Sequence, residues 1–155
     1  MRICNGMIRL KMKEYSIKKC GWNSDKQQLS DIRREVFINE QQVPEELEWD
    51  EFDQSAQHVI ALNQAGQPIA TGRIKTDGHI GRMSVLKEYR QQGIGSAILL
   101  VLLDNAHQQN LKRVYLHAQV NAVPFYEKHG FIVQGKEFVD AGIAHKTMYK
   151  NLSEK

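Results

Sequence analysis

The chain has 155 residues, 41% hydrophobic and 25% charged, with a formal net charge of +3; these are ordinary values for a soluble globular protein with a real core. That charge is too small to point to nucleic acid, and the longest basic cluster, Lys11 to Lys19, is interrupted by Glu14 and apolar residues. No run approaches the roughly 18 apolar residues of a membrane span, Met1 to Met12 lacks the apolar centre of a signal peptide, and Cys4 and Cys20 give neither a disulfide framework nor a zinc spacing.

In chain order, residues 1–12, with Met7 and Met12 close behind Met1, read as a flexible extension, and 13–155 as one domain. Glu14 to Lys19 is an expected strand. Ser24 or Asp25 reads as the N-cap of a helix through Phe37, in which Leu29, Ile32, Val36 and Phe37 recur at helical spacing. Asn39 to Asp53 holds Glu40, Glu45, Glu46, Glu48, Asp50, Glu51 and Asp53 around Pro44, Trp49 and Phe52 without a steady period. An irregular, anchored loop with one short helical turn is expected there.

His58 to Leu62, Pro68 to Ile74 and His79 to Val85 form a predicted meander, turned by Asn63-Gln64-Ala65-Gly66-Gln67 and by Thr76-Asp77-Gly78. A helix over Ser96 to His107, a strand over Arg113 to Ala118 and a short helix over Val123 to Lys128, ended by Gly130, follow. Phe131 to Val139 and His145 to Tyr149 close the chain as paired strands. The order β-α-β-β-β-α-β-α-β-β predicts an α/β domain (α+β by some schemes): a mixed, mostly antiparallel sheet of about 6–7 strands flanked by helices.

Arg90-Gln91-Gln92-Gly93-Ile94-Gly95 joins an apolar strand to an apolar helix. Glycines one residue apart leave backbone N–H groups uncovered, the helix behind supplies a positive dipole end, and Arg90 adds a full charge: a cradle for a diphosphate. A Walker loop is excluded because no lysine precedes Ser96, and a dinucleotide fingerprint because Ile98 stands where its third glycine belongs. The short motif is also compatible with a plain strand-to-helix turn.

Three segments complete the pattern, the first of them leading into this loop. Ile80-Gly81-Arg82-Met83-Ser84-Val85 leads through Tyr89 into it; Arg113-Val114-Tyr115-Leu116-His117-Ala118 precedes Asn121; and Pro124-Phe125-Tyr126-Glu127-Lys128-His129-Gly130-Phe131 ends in a Gly-Phe pair. In that order and at those separations the segments resemble the GNAT superfamily of N-acetyltransferases, over residues 58–150 well and over the N-terminal third more loosely. Val36-Phe37-Ile38-Asn39-Glu40-Gln41 and Gly142-Ile143-Ala144-His145 resemble a bacterial YjcF-like or ElaA-like branch, with Ala144 where a proline is more usual.

The resemblance implies acetyl-CoA as co-substrate, no metal, and direct transfer of the acetyl group to a primary amine in the cytoplasm. It implies that the amides of Gln91, Gln92, Gly93, Ile94, Gly95 and Ser96 hold the pyrophosphate, with Arg90 contacting a phosphate or shaping the loop. The strand ending at Val85 is expected to splay from Val114 to Ala118. The main chain of Met83 and Val85 then bonds the pantetheine arm, and an N–H near Met83 or Ser84 faces the thioester oxygen.

Phe125 falls among the expected coenzyme contacts. Tyr126 stands where the family places its general acid, and Asn121 either bonds the pantetheine, holds a water or caps the next helix. Glu40 is the first candidate for the base, ahead of Glu48 and Asp50, and the acidic loop together is expected to draw in a cationic amine. His117 is expected on the acceptor side of the cleft, and His145 on the closing strand pair. A homodimer is compatible with the family's habits. The rival readings are a non-catalytic acyl-CoA sensor and an interaction module presenting Trp49 and Phe52.

Overall fold

The computed structural model describes residues 14–153, so the expected extension over 1–12 lies outside the described residues. β1 (Tyr15–Cys20), β2 (Gln57–Asn63), β3 (Pro68–Ile74) and β4 (Ile80–Val85) form one antiparallel sheet in that order. β5 (Arg113–Gln119) and β6 (Ile132–Asp140) flank β7 (Ile143–Asn151) in a second antiparallel sheet. The β2–β3 turn closes because Asn63 Oδ1 accepts the amides of Ala65 and Gln67 at 3.0 and 2.9 Å, the local bonding that suits asparagine to turns.

The sheets meet at one point. His79 bridges Tyr115 in parallel, and the Tyr115 amide donates to the Gly78 carbonyl at 3.1 Å. A Cβ at Gly78 would lie 2.8 Å from the Arg113 carbonyl oxygen, and its φ of +93° strains any other residue. Past this junction β4 and β5 have no shared ladder among the described residues, which is the expected splay.

Strand alternation assigns the first sheet two cores. Val59 and Ala61 face α3 (Ile94–Gln108), whose Ile94, Ile98, Leu99, Leu102 and Ala106 are sealed. Ile60 faces the other way, onto Leu29, Ile32 and Val36 of the first helical segment and onto Trp22. Each fully buried Leu or Ile contributes about 1.5–3 kcal/mol, so both faces are needed for stability.

The first helix departs from the sequence expectation at both ends. α1 (Trp22–Arg33) begins three residues early, behind Gly21, and Ser24 does not cap it: its hydroxyl bonds the Asp25 carboxylate at 2.7 Å, and Asp25 leaves helical geometry (φ −126°, ψ 22°) as a kink. From Arg34 to Glu40 the helix widens into π geometry, with the Gln41 amide reaching Val36 O at 3.1 Å, and so runs past the expected end at Phe37. The acidic loop folds into two turns, α2 (Glu45–Glu48) and a 3₁₀ turn over Glu51–Asp53, the latter capped by Asp50 onto the Phe52 amide at 3.1 Å. α4 (Val123–Lys128) carries proline in its first turn, as expected of a helix start.

Candidate active site

The glycine loop has the geometry of an anion nest. Gln91 and Gly93 adopt positive φ (64° and 82°), and Gly93 caps α3 without any side-chain hydrogen bond. The Ala97 amide returns to Gly93 O at 3.1 Å, but none of the amides from Gln91 to Ser96 meets a protein acceptor among the described residues. Six neighbouring donors therefore stand without a protein acceptor at the positive end of a 15-residue helix. A Cβ at Gly93 would meet open space, whereas one at Gly95 would lie 3.6 Å from the Phe125 ring. Phe125 thus backs the loop, edge-on to Tyr126 with centroids 5.0 Å apart. The Ser96 hydroxyl shares a hydrogen bond with His129 Nε2 at 2.9 Å.

Arg90 does not point freely toward the nest. Its two terminal nitrogens fork both oxygens of Glu40 at 2.7 Å each, and its Nε donates to Val85 O at 2.8 Å. This ties the end of the π segment and the end of β4 to the loop. The hydrogen bond from Arg90 holds the Glu40 carboxyl below the usual carboxylate range, and with both oxygens occupied Glu40 is a poor proton acceptor.

Beside the loop, the splay of β4 from β5 opens a cavity of about 280 Å³. Met83, Leu116, Ala118 and Tyr126 line it toward α3, and Arg82, His117 and His145 toward α1 and the closing strands. β4 carries a bulge here: Thr71 pairs with Ser84 and Arg73 with Gly81, so Arg82 and Met83 together stand opposite Gly72. Arg82 sits at φ 53°, a conformation that costs a non-glycine residue about 1–3 kcal/mol. The bulge sends Arg82 toward the acidic loop and Met83 into the α3 core. The sequence held no signal for it, because the residue in the strained conformation is not the adjacent Gly81.

Tyr126 is 8% exposed, and burial pushes its phenol up to about 12, so it keeps its proton at neutral pH. Asn121 lies exposed in the 3₁₀ turn over Val120–Ala122, and α4 has no side-chain cap, which removes the capping role. Gln119 lines the cavity instead, donating to Gln41 Oε1 at 2.8 Å; the sequence gives no sign of this pairing, since lone glutamines far apart form no pattern.

The acidic loop is neutralised from within. Arg33, 1% exposed, binds Glu48 Oε2 at 2.8 Å and Asp53 at 2.7 and 3.2 Å, while the Trp22 and Trp49 rings lie 5.4 and 5.2 Å from its guanidinium. Arg73 binds Asp50 at 2.8 and 2.7 Å and Asp53 at 2.6 Å; Arg82 binds Glu48 O at 2.9 Å and Asp50 at 3.3 Å. Arg73 Nε alone, among buried side-chain polar atoms of the described residues, lacks a partner. Glu48 and Asp50, the remaining candidates for the base, are therefore committed to arginines, and the loop is not a free anionic rim. Burial pushes the Glu48 carboxyl up against the pull of Arg82 and Arg33.

Histidines occupy the other wall. His79 stacks on Tyr115 at 4.6 Å and meets His117 edge-on at 4.8 Å; burial lowers it to about 4, so it is neutral near pH 7. His117 Nδ1 shares a hydrogen bond with Thr147 Oγ1 at 3.1 Å. His145 stacks on Phe138 at 5.7 Å, and its Nδ1 lies 2.7 Å from Ile143 O. Among the described residues, no three His, Cys, Asp or Glu side chains are grouped as metal ligands would be.

A family model described as an acetyltransferase (GNAT) domain matches residues 13–152. The chain is 38% identical to the uncharacterized N-acetyltransferase YjcF of Bacillus subtilis (strain 168) over 134 residues, covering 82% of this chain and 95% of that protein. An acyl-CoA N-acyltransferase from Pseudomonas aeruginosa shares the fold with a TM-score of 0.78 at 26% identity, over 88% of this chain and 99% of that one. Escherichia coli ElaA aligns with a TM-score of 0.78 at 25% identity, over 88% of this chain and 99% of that one.

Proposed function

Because the chain belongs to the GNAT acetyltransferase family, we propose that it transfers an acetyl group from acetyl-CoA directly to a primary amine, as a cytoplasmic bacterial enzyme. The observation that carries this reading is the row of unengaged amides from Gln91 to Ser96 beside a cavity that holds a protonated Tyr126.

The amides grip the pyrophosphate, which the absence of a side chain at Gly93 lets approach closely. Arg90 shapes the loop through Glu40 and Val85 rather than serving as the main phosphate ligand. The unladdered edge of β4 at Met83 and Val85 pairs with the pantetheine amides as an added strand would, while Phe125 backs the arm and Asn121 meets it from the exposed rim. At the bulge an amide near Met83 donates to the thioester oxygen as negative charge gathers there. Tyr126 donates its proton to the departing sulfur, and the phenolate is re-protonated after transfer. Neither this scheme nor the fold calls on a cysteine nucleophile: burial raises the Cys20 thiol to about 11, which leaves it un-ionised.

The test is calorimetry with acetyl-CoA and longer acyl-CoA esters, followed by a thiol-release screen against amines. Binding of acetyl-CoA with amine-dependent thiol release is expected. Tight binding without turnover by any amine would leave a coenzyme-binding module instead.

A further inference from the structure

We propose that His145 is the proton acceptor for the attacking amine, working across the cavity from Tyr126; this rests on the acetyl-transfer reading above. The strand register divides the labour. In the β5–β7 ladder, Gln119 pairs with His145 and His117 with Thr147, so these four share one face, and Val114, Leu116 and Met148 point to the opposite, α3-side core. Tyr126 packs into that core against Phe131. His145 and Tyr126 nevertheless line the same cavity, because the cavity passes through the gap between β4 and β5. On this reading, an amine that enters the cavity from the side opposite the coenzyme meets the wall that carries His145.

His145 is the group on that wall equipped for the role. Ile143 O can only accept, so the 2.7 Å contact fixes the hydrogen on Nδ1 and, in the neutral ring, the lone pair on Nε2. Nε2 has no partner among the described residues, and the stacking of Phe138 holds the ring plane. His117 is less well defined, because the Thr147 hydroxyl can donate or accept. Glu40, Glu48 and Asp50 are held by arginines. The titratable and charged groups facing His145 across the cavity are His117 from β5, His79 from the preceding turn, Asp140 from the end of β6, and Arg82 and Glu48 from the far wall.

An N–H bond of the ammonium breaks and its proton passes to Nε2. The freed lone pair forms the C–N bond, the C–S bond breaks with its electrons going to sulfur, and the Tyr126 proton caps the thiolate. The surplus proton on the new amide nitrogen restores the Tyr126 phenol through water, and the His145 imidazolium, 9% exposed, passes its proton to water in the cavity.

The experiment compares wild type with His145→Gln, using acetyl-CoA and spermidine, kanamycin, L-lysine and a lysine-containing peptide as acceptors. At pH 7, kcat should fall by about 100-fold while acetyl-CoA affinity by calorimetry stays within about twofold. The deficit should shrink below about 10-fold near pH 10, where the amine deprotonates in solution. A loss equal at all pH values, or no loss, overturns the proposal. If wild type acetylates none of the four amines, the acetyl-transfer reading fails and the base role falls with it. The histidine assignment can also fail by itself: long-range ¹H–¹⁵N spectra of the wild-type rings at alkaline pH should show His145 as the Nδ1–H tautomer, and an Nε2–H tautomer overturns the assignment in an enzyme that still transfers acetyl.

Discussion

On the α3 side of the first sheet, the amides from Gln91 to Ser96 have no protein acceptor among the described residues; on the α1 side, Arg33, Arg73 and Arg82 are matched against Glu48, Asp50 and Asp53. Both regions concentrate charge or partial charge, yet only one leaves it unanswered. Buried ions demand partners because desolvation costs several kcal/mol per ion, so the α1-side network is scaffold. The amides of the loop lack protein acceptors among the described residues, so an anion that accepts from them makes hydrogen bonds the fold leaves unmade. Charge density in a sequence therefore identifies a binding region only once its partners are known.

The contrast can be broken most severely at Arg33. Arg33→Ala would strand Glu48 and Asp53 in the interior, and chemical denaturation should show a loss of about 3–5 kcal/mol. Gly93→Glu attacks the other side: a carboxylate at the helix N-terminus should weaken acetyl-CoA binding by roughly 100-fold in calorimetry, while the φ of +82° should cost the fold only about 1–2 kcal/mol in chemical denaturation. Tyr126→Phe separates chemistry from binding. Turnover should fall by roughly 10- to 100-fold with unchanged coenzyme affinity, and equal turnover would refute the acid assignment.

The mildest probe is pH. Burial opposes the charge of Asp50, but the hydrogen bonds and charge of Arg73, with Arg82 behind, hold its carboxyl at about 2. A carboxyl lower in the folded than in the unfolded state, where it lies near about 3.9, stabilises the fold above that value and loses this contribution as pH falls toward the folded one. Urea midpoints should therefore decline between about pH 4 and 2, and Asp50→Asn should flatten that decline. An identical slope in the variant would show that the pair contributes nothing to acid resistance.

Local chemistry was legible in the sequence; long-range pairing was not. Alternation placed β2, β3 and β5 within a residue or so, and the Asn63 and Gly78 turns followed from their own side-chain and backbone preferences. The glycine loop was equally readable, since its geometry depends on neighbours in the chain. Ser24 and Asp25 misled because an N-cap and a local side-chain pair look alike in sequence, and here they bond each other. The fate of the acidic loop was hidden for another reason: its partners Arg33, Arg73 and Arg82 come from separate elements that no periodicity connects. His145 likewise acquires its setting from the β7 register and from Phe138 on β6.

The lone backbone bridge between the sheets has a mechanical consequence. With backbone pairing between the sheets confined, among the described residues, to Gly78 and His79 against Tyr115, the gap is a wedge whose fulcrum lies at Gly78 and which opens along β4 toward Val85. A methyl group at Gly78, pressing on the Arg113 carbonyl from 2.8 Å, would act as a shim at that fulcrum. The opening between β4 and β5 is thus anchored at its end away from the glycine loop, by a glycine bonded directly to His79 of the histidine wall.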